Sequence, residues 1–263
     1  MIGPETRDHI ARVLRSTASE EGVRILFAAE SGSRAWGFAS TDSDYDVRFI
    51  YAHDEDWYLS LELGRDVIER PLDGRLVDLA GWDVRKALQL LLRSNPALYE
   101  WLCSPIVYVD DGRFRDAARP LFERNASPAT LAHHYAGIAR KTAARHLGDR
   151  TTVNLKRYFY IIRPLLSLQW IVERGGIPPM NIRQLLAGLV LPSSVVAEID
   201  DLIGRKETMP EFGDGPRIAE IDRWISERMH ALDPERIGLP ALKNDAARMS
   251  ADTLFRTTVR GQG

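Results

Sequence analysis

Apolar and polar positions along the chain follow two different spacings, and the change from one to the other divides the sequence. In the first 110 residues the apolar runs are short and bounded by polar or turn-forming residues, as in Val23–Ala29 and Val47–Tyr51. Short runs rich in β-branched and aromatic residues are typical of strands. After about residue 110, apolar residues recur at helical spacing over longer stretches. The pattern predicts an α/β half at 1–110 and a helical half at 111–263.

Cap and turn residues place the elements of the first half. A helix over about 5–20 is expected to end at Gly22. Asp73 and Gly74 lie between two strand-like runs, which predicts a hairpin. Asp83 is expected to cap a helix that begins at Val84.

The second half carries long helical patterns. Ser127, followed by proline, predicts the start of a helix that runs to Gly148. A second long helix over about 152–174 contains Pro164, where we expect a kink or a split. Further helices are predicted near 181–190, 193–205, 216–231 and 239–256.

Composition sets limits on the class of protein. The chain has 263 residues, of which 44% are hydrophobic, enough for one large domain or two modest ones. Its net charge of −2 does not by itself indicate a nucleic-acid binder. The single cysteine, Cys103, excludes an intrachain disulfide, and no apolar leader or membrane-length apolar run is present. We therefore expect a cytoplasmic protein that does not enter the membrane.

Candidate chemistry is concentrated in Gly32–Asp46, between the first two predicted strands. Gly32 allows a backbone to approach a ligand closely, and Ser33 adds a hydroxyl where a helix would begin. Free N–H groups at such a helix start favour anions such as phosphate. Asp44 and Asp46 alternate along a strand and share one face, where two carboxylates suit Mg²⁺. A phosphate-binding turn facing a carboxylate pair indicates metal-assisted phosphoryl or nucleotidyl transfer.

The same stretch resembles the nucleotidyltransferases of the DNA polymerase beta superfamily. Their signature is Gly-Ser or Gly-Gly, a gap of about ten residues and Asp-x-Asp, matched here by Gly32-Ser33 and Asp44-Tyr45-Asp46. The longer text of Gly32–Gly37 and Asp42–Arg48 is similar to the family called RNA repair pathway DNA polymerase beta. That similarity extends, with gaps, over most of the first 190 residues.

The resemblance implies an α+β fold, in which a small mixed β-sheet catalytic domain is followed by an all-helical domain that completes the active cleft. It also implies two Mg²⁺ ions, with Mn²⁺ as the substitute, held by Asp44, Asp46 and a third carboxylate on a neighbouring strand. Asp78 is the best candidate for the third, because an acid within an apolar strand run is costly unless it is used or paired. Its other interpretation is an edge-strand acid that faces water.

The nucleotide is expected to contact residues from both halves. Gly32 and Ser33 are the candidates for the phosphates, with Ser43 as a weaker one. Arg34 has two equal interpretations: a phosphate contact or a pair with a local acid. From the helical half, the resemblance implies a lysine and a tyrosine at the triphosphate, which we assign to Lys156 and Tyr160.

The segment 140–163 contains seven basic residues and one acid, Asp149. Its two interpretations are a solvated helix face and a basic wall at the active cleft.

The resemblance predicts an enzyme that transfers a nucleoside monophosphate from a nucleoside triphosphate to an acceptor hydroxyl, with release of pyrophosphate. An RNA end ranks first as acceptor, a protein hydroxyl second and a small molecule of the antibiotic type third. A non-catalytic nucleotide-binding module is the alternative from another class. The sequence leaves the base, the sugar and the oligomeric state open.

Overall fold

The computed structural model describes residues 2–62, 64–148, 150–208, 213–241 and 245–261. Its strands are β1 (Arg24–Glu30), β2 (Tyr45–Ala52), β3 (Val67–Arg70), β4 (Val77–Asp83), β5 (Val107–Asp110), β6 (Thr152–Asn154) and β7 (Asp214–Pro216). Its helices in the first part of the chain are α1 (Pro4–Glu21), α2 (Gly32–Trp36), α3 (Glu55–Leu59), α4 (Val84–Leu92), α5 (Pro96–Leu102) and α6 (Arg113–Asn125). The later helices are α7 (Pro128–His146), α8 (Lys156–Glu173), α9 (Ile182–Gly188), α10 (Ser193–Thr208), α11 (Ala219–Ala231), α12 (Pro234–Ile237) and α13 (Asp245–Val259).

Within these residues, five strands form a mixed sheet in the order β3-β4-β2-β1-β5. β2 and β4 run parallel, whereas β1 pairs antiparallel with both β2 and β5. β3 and β4 form the antiparallel hairpin that Asp73-Gly74 predicted. The expected α+β class with a mixed sheet is confirmed.

The sheet buries one face against α1. Ile10 and Leu14 of that helix are buried in a cluster with Val47, Phe49 and Leu79 of β2 and β4. Alternate residues of a strand point to the same face, so this burial turns the residues between them, including Asp46, Arg48 and Asp78, toward the other face. Packing of the core therefore fixes which side of the sheet carries the carboxylates.

Caps confirm several predicted helix boundaries. The Asp83 carboxylate accepts the N–H of Arg85 at the start of α4, and Ser127 accepts the N–H of Thr130 at the start of α7. α1 ends as predicted at Gly22, which adopts a left-handed conformation with φ of 62°. α7 ends at His146, shortly before the predicted Gly148.

The second long helix begins later than predicted. Thr152–Asn154 forms β6 and pairs with β7, so one short strand pair interrupts the otherwise helical second part. α8 then runs from Lys156 to Glu173 with Pro164 inside it, so the helix is not split. Residues on both sides of the proline are buried, and that packing outweighs the lost backbone hydrogen bond.

The chain forms two compact units whose boundaries differ from the predicted division at 110/111. The first unit contains the residues up to Ala35, Asp44–Asn125 and α13, and the second contains Trp36–Ser43 and the helices from α7 to α12. The roles assigned to 1–110 and 111–263 stay predictions. In the described part of the chain, no helix is both long and apolar enough to cross a membrane.

Candidate functional site

The bend after β1 is built around the Asp46 carboxylate. Gly32 has a φ of 59°, a conformation that L side chains rarely adopt, and it begins the short helix α2. A Cβ at this position would overlap with the Oδ2 atom of Asp46. The backbone N–H of Ser31 also donates to the carbonyl oxygen of Asp46 at 2.8 Å. The sequence predicted that a ligand would lie close to the Gly32 backbone. In the structure the carboxylate of Asp46 lies there instead.

Asp46 and Asp78 lie opposite each other in the parallel register of β2 and β4. Arg48 Nη2 donates to Asp46 Oδ1 at 2.9 Å and to Asp78 Oδ2 at 2.7 Å. Its Nη1 donates to the backbone oxygen of Asp78 at 2.9 Å. The Arg48 side chain is 18% exposed, against 30% for Asp46 and 40% for Asp78. One guanidinium therefore lies between two partly exposed carboxylates and compensates their charge.

Asp44 lies outside the paired register of β2 and β4, which begins at Tyr45 and Val77. It precedes β2 and is exposed, and its backbone oxygen accepts a hydrogen bond from Arg34 Nε at 3.3 Å. Among the residues that the structure describes, no three or more His, Cys, Asp or Glu side chains are grouped so that they could hold a metal ion. The structure therefore brings Asp46 and Asp78 together, and the role of Asp44 as a further metal ligand stays a prediction.

The chemistry of the Asp46–Asp78 pair nevertheless fits a divalent cation. Two carboxylates at adjacent strand positions repel unless a positive charge lies between them, and Arg48 supplies that charge in this structure. Carboxylate oxygens on a partly exposed sheet face are the hard ligands that Mg²⁺ prefers. These two residues would hold the ion, and Arg48 would have to leave at least part of its present position.

Glu30, at the end of β1, belongs to the same site, and it was not among the predicted site residues. It is buried, and it accepts hydrogen bonds from the Tyr108 hydroxyl at 2.5 Å and from the Asp46 N–H at 3.1 Å. Burial raises the pKa of Glu30 to about 7, and the hydrogen bonds from Tyr108 and Asp46 oppose that rise. An acid at the end of an apolar strand run was the available signal, the same reasoning that selected Asp78.

The remaining residues of the Gly-Ser loop have local partners. Ser33 is buried at the start of α2. Arg34 lies 4.0 Å from Glu30 Oε1, and its guanidinium lies 4.1 Å from the centre of the Tyr45 ring. Ser43 is also buried, and its hydroxyl lies 2.8 Å from that of Ser40. Arg34 is thus next to a local acid, one of its two predicted roles, and phosphate contacts by these three residues stay predictions.

The candidates from the helical part lie on α8. Lys156 is the first residue of that helix and is partly exposed. Tyr160 is also partly exposed, and its ring meets the Trp36 ring edge-on at 6.0 Å. Arg163 is buried, donates to the Met180 carbonyl at 3.0 Å and lies over the Trp36 ring. Arg163 therefore has a packing role, whereas Lys156 and Tyr160 keep exposed surface for a ligand.

Comparison with known proteins places the chain in a family. It is 40% identical to the "Uncharacterized protein YcgL" of Bacillus subtilis (strain 168). The alignment spans 239 residues and covers 91% of each chain. A crystal structure of a nucleotidyltransferase-like protein from Exiguobacterium sibiricum 255-15 aligns with 96% of this chain and 80% of that one at 13% identity. Its TM-score of 0.32 is too low for the two folds to be equated. The profile of the RNA repair pathway DNA polymerase beta family matches residues 6–257, and the chain belongs to that family.

Proposed function

We propose that the protein is a Mg²⁺-dependent nucleotidyltransferase. It would transfer a nucleoside monophosphate from a nucleoside triphosphate to an acceptor hydroxyl. The observation that carries the proposal is the alignment of Asp46 with Asp78 across β2 and β4, beside the Gly32 bend. Membership of a polymerase beta family supports it.

The reaction divides into roles for residues of this chain. Asp46 and Asp78 would hold the divalent cation, which when bound supplies charge to the triphosphate and acidifies the attacking hydroxyl. The acceptor oxygen forms a bond to the α-phosphorus while the bond from that phosphorus to the bridging oxygen breaks, and pyrophosphate leaves. The carboxylate of Asp78, which is 40% exposed, would accept the hydroxyl proton.

Other residues would orient the triphosphate. The N–H groups at the start of α2 and the Ser33 hydroxyl are the proposed phosphate donors. Asp44, exposed just before β2, is the proposed third carboxylate of the site. Lys156 and Tyr160 would add a positive charge and a hydroxyl, and Lys156→Gln is expected to weaken nucleotide binding more than turnover.

Nucleotidyltransferases differ in the molecule whose hydroxyl accepts the nucleotidyl group. We rank a nucleic-acid end first, a protein hydroxyl second and a small molecule third. Incubation with each α-labelled nucleoside triphosphate and Mg²⁺, with total RNA, total protein or small hydroxyl compounds, measures pyrophosphate release and the fraction that becomes labelled. Label in RNA supports a nucleic-acid acceptor. Label in protein or in a small molecule identifies that class as the acceptor instead. Nucleotide binding without pyrophosphate release with any acceptor leaves a non-catalytic binding module.

Matched variants test the site itself. Asp46→Asn and Asp78→Asn should abolish transfer and weaken the binding of Mg²⁺–nucleotide in calorimetry. Glu69→Gln is the control, because Glu69 lies on β3 in the same sheet and forms an exposed pair with Arg65. Wild-type binding and turnover in both aspartate variants would refute the proposed function.

A further inference from the structure

The corner where α7 ends and α8 begins carries a cluster of arginines with exposed side chains. Arg145 lies in the last turn of α7, Arg150 in the connection and Arg157 in the first turn of α8. We name these three residues the arginine corner. We propose that the arginine corner binds the phosphate backbone of a nucleic-acid strand.

The three arginines flank the junction of α7 and α8, next to His146. His146, the last residue of α7, has its pKa lowered by burial and then by the positive charges of Arg157, Arg145 and Arg150. All three guanidinium groups therefore act on one imidazole. Arg157 is also held over the Tyr160 ring, with 5.8 Å between its guanidinium carbon and the ring centre.

The arginine corner differs from most other arginines of the second unit because no acid among the described residues compensates its charges. Most other arginines of the second unit form ion pairs, such as Arg140 with Asp233, Arg183 with Glu207 and Arg217 with Asp222. Within the described ranges, no member of the arginine corner lies within 4.0 Å of an acidic oxygen. Asp149, the single acid of segment 140–163, lies outside those ranges. Subtracting its charge from three arginines still leaves a net charge of +2.

The start of α8 adds an independent observation that points to an anion. In the described structure no side chain caps this 18-residue helix, and its first turn contains no acid. Lys156 and Arg157 occupy its first two positions instead, where the helix dipole disfavours positive charge. α4 and α7 are capped by Asp83 and Ser127. α1 and α11 also lack a side-chain cap, but each has an acid in its first turn. An oxyanion near the helix start would interact favourably with the helix dipole and with Arg157 together.

A nucleic-acid strand fits the arginine corner better than other anionic partners. Exposed guanidinium groups spread over two helix ends and the connection between them suit consecutive phosphates, which they can bind with two hydrogen bonds each. A membrane surface would need apolar side chains nearby, and none of the large apolar side chains that the structure describes as strongly exposed lies within 145–157. The overall charge of −2 makes the positive charge a local feature, which favours a defined site.

The inference rests on the proposed function for one step only, that the bound strand is the acceptor of the nucleotidyl group. Fluorescence anisotropy with a labelled single-stranded RNA of mixed sequence tests the binding without nucleotide. The variant Arg145→Gln/Arg150→Gln/Arg157→Gln should bind RNA at least ~10-fold more weakly, and the slope of log K against log salt should fall by about 2. The control Arg183→Gln/Arg223→Gln/Arg236→Gln removes the same charge from paired arginines of the second unit and should bind like wild type.

Three outcomes would overturn the inference. Equal losses in both triple variants would show a general charge effect. Unchanged RNA affinity, with loss of inorganic triphosphate binding alone, would assign the arginine corner to a nucleotide. Unchanged RNA affinity, with loss of binding to a labelled acidic peptide, would assign it to a protein partner.

The same assay separates this inference from the proposed function. Asp46→Asn should bind RNA like wild type although it transfers no nucleotide. If wild type transfers nothing with any acceptor but binds RNA through the arginine corner, the binding surface stands and the proposed function fails. Single-stranded DNA of the same sequence shows whether the ribose hydroxyl contributes.

Discussion

Asp46 and Asp78 face each other across two parallel strands and share one guanidinium, that of Arg48. The arginine is two residues after Asp46 on β2, so it extends over the same face of the sheet. The charge that the carboxylate pair requires is therefore supplied by the chain itself. A divalent cation that binds there has to compete with Arg48.

This competition predicts how Arg48→Gln behaves. Without metal the variant should be less stable than wild type by ~1 kcal/mol, because the partly exposed carboxylates lose their shared counter-charge. With increasing MgCl₂ it should gain more stability than wild type, because no guanidinium has to be displaced. Thermal unfolding in EDTA and in a MgCl₂ series measures both effects.

Arg65→Gln is the control for that experiment, because Arg65 pairs with Glu69 on the exposed surface of the same unit. It should show the Mg²⁺ response of wild type. A smaller Mg²⁺ response in Arg48→Gln than in wild type would mean that Arg48 positions the carboxylates for the metal instead of competing with it.

Gly32→Ala should disrupt the site more than its backbone strain accounts for. An alanine at a positive φ costs about 1–2 kcal/mol, and here the added Cβ would also overlap with the Asp46 carboxylate. Gly22→Ala is the matched control, since Gly22 has a φ of 62° but open space around it. Gly32→Ala should lower both the free energy of unfolding measured with urea and the affinity for Mg²⁺. Gly22→Ala should lower the free energy of unfolding only. Equal Mg²⁺ affinities of Gly32→Ala and Gly22→Ala would contradict a functional role for the close approach of Gly32 to the Asp46 carboxylate.

Glu30→Leu should be strongly destabilising, because it leaves the N–H of Asp46 and the hydroxyl of Tyr108 without their acceptor. A buried donor that loses its partner costs about 1–3 kcal/mol. Glu30→Gln retains an acceptor oxygen and should lose less stability. In a double-mutant cycle measured by urea unfolding, Tyr108→Phe should recover part of the loss in the Glu30→Leu background. Additive losses would exclude the coupling.

Asp83 predicts a pH dependence of stability. Burial raises the pKa of Asp83 above its ordinary value of 3.8, against the hydrogen bonds from Tyr58 and from the N–H of Arg85. The folded state thus holds this proton more tightly than the unfolded chain does. The resulting stabilisation is present below pH 3.8 and is lost as the pH rises through the folded pKa.

Asp83→Asn keeps a helix-capping side chain but cannot ionise, so it should become more stable relative to wild type as the pH rises from about 4 to about 7. Urea unfolding of both proteins across this range measures the difference. A difference that does not change with pH would contradict the raised pKa.

Local signals in the sequence determined the elements that carry the candidate residues. Two β-rich runs around Gly32–Asp46 became β1 and β2, and the Asp73-Gly74 turn joined β3 to β4. The caps at Asp83 and Ser127 fixed the starts of α4 and α7. Turns and caps depend on neighbouring residues, so a single sequence contains the information they need.

The tertiary structure decided what those elements do together. The parallel register that sets Asp46 beside Asp78, the contact of Arg48 with Asp78, and the burial of Glu30 against Tyr108 all join residues far apart in the chain. Residues beyond Asp245 joined the first unit, and Thr152–Asn154 became a strand, for the same reason. Pairing between distant segments depends on how their faces fit once the core has formed, and no local pattern records that fit.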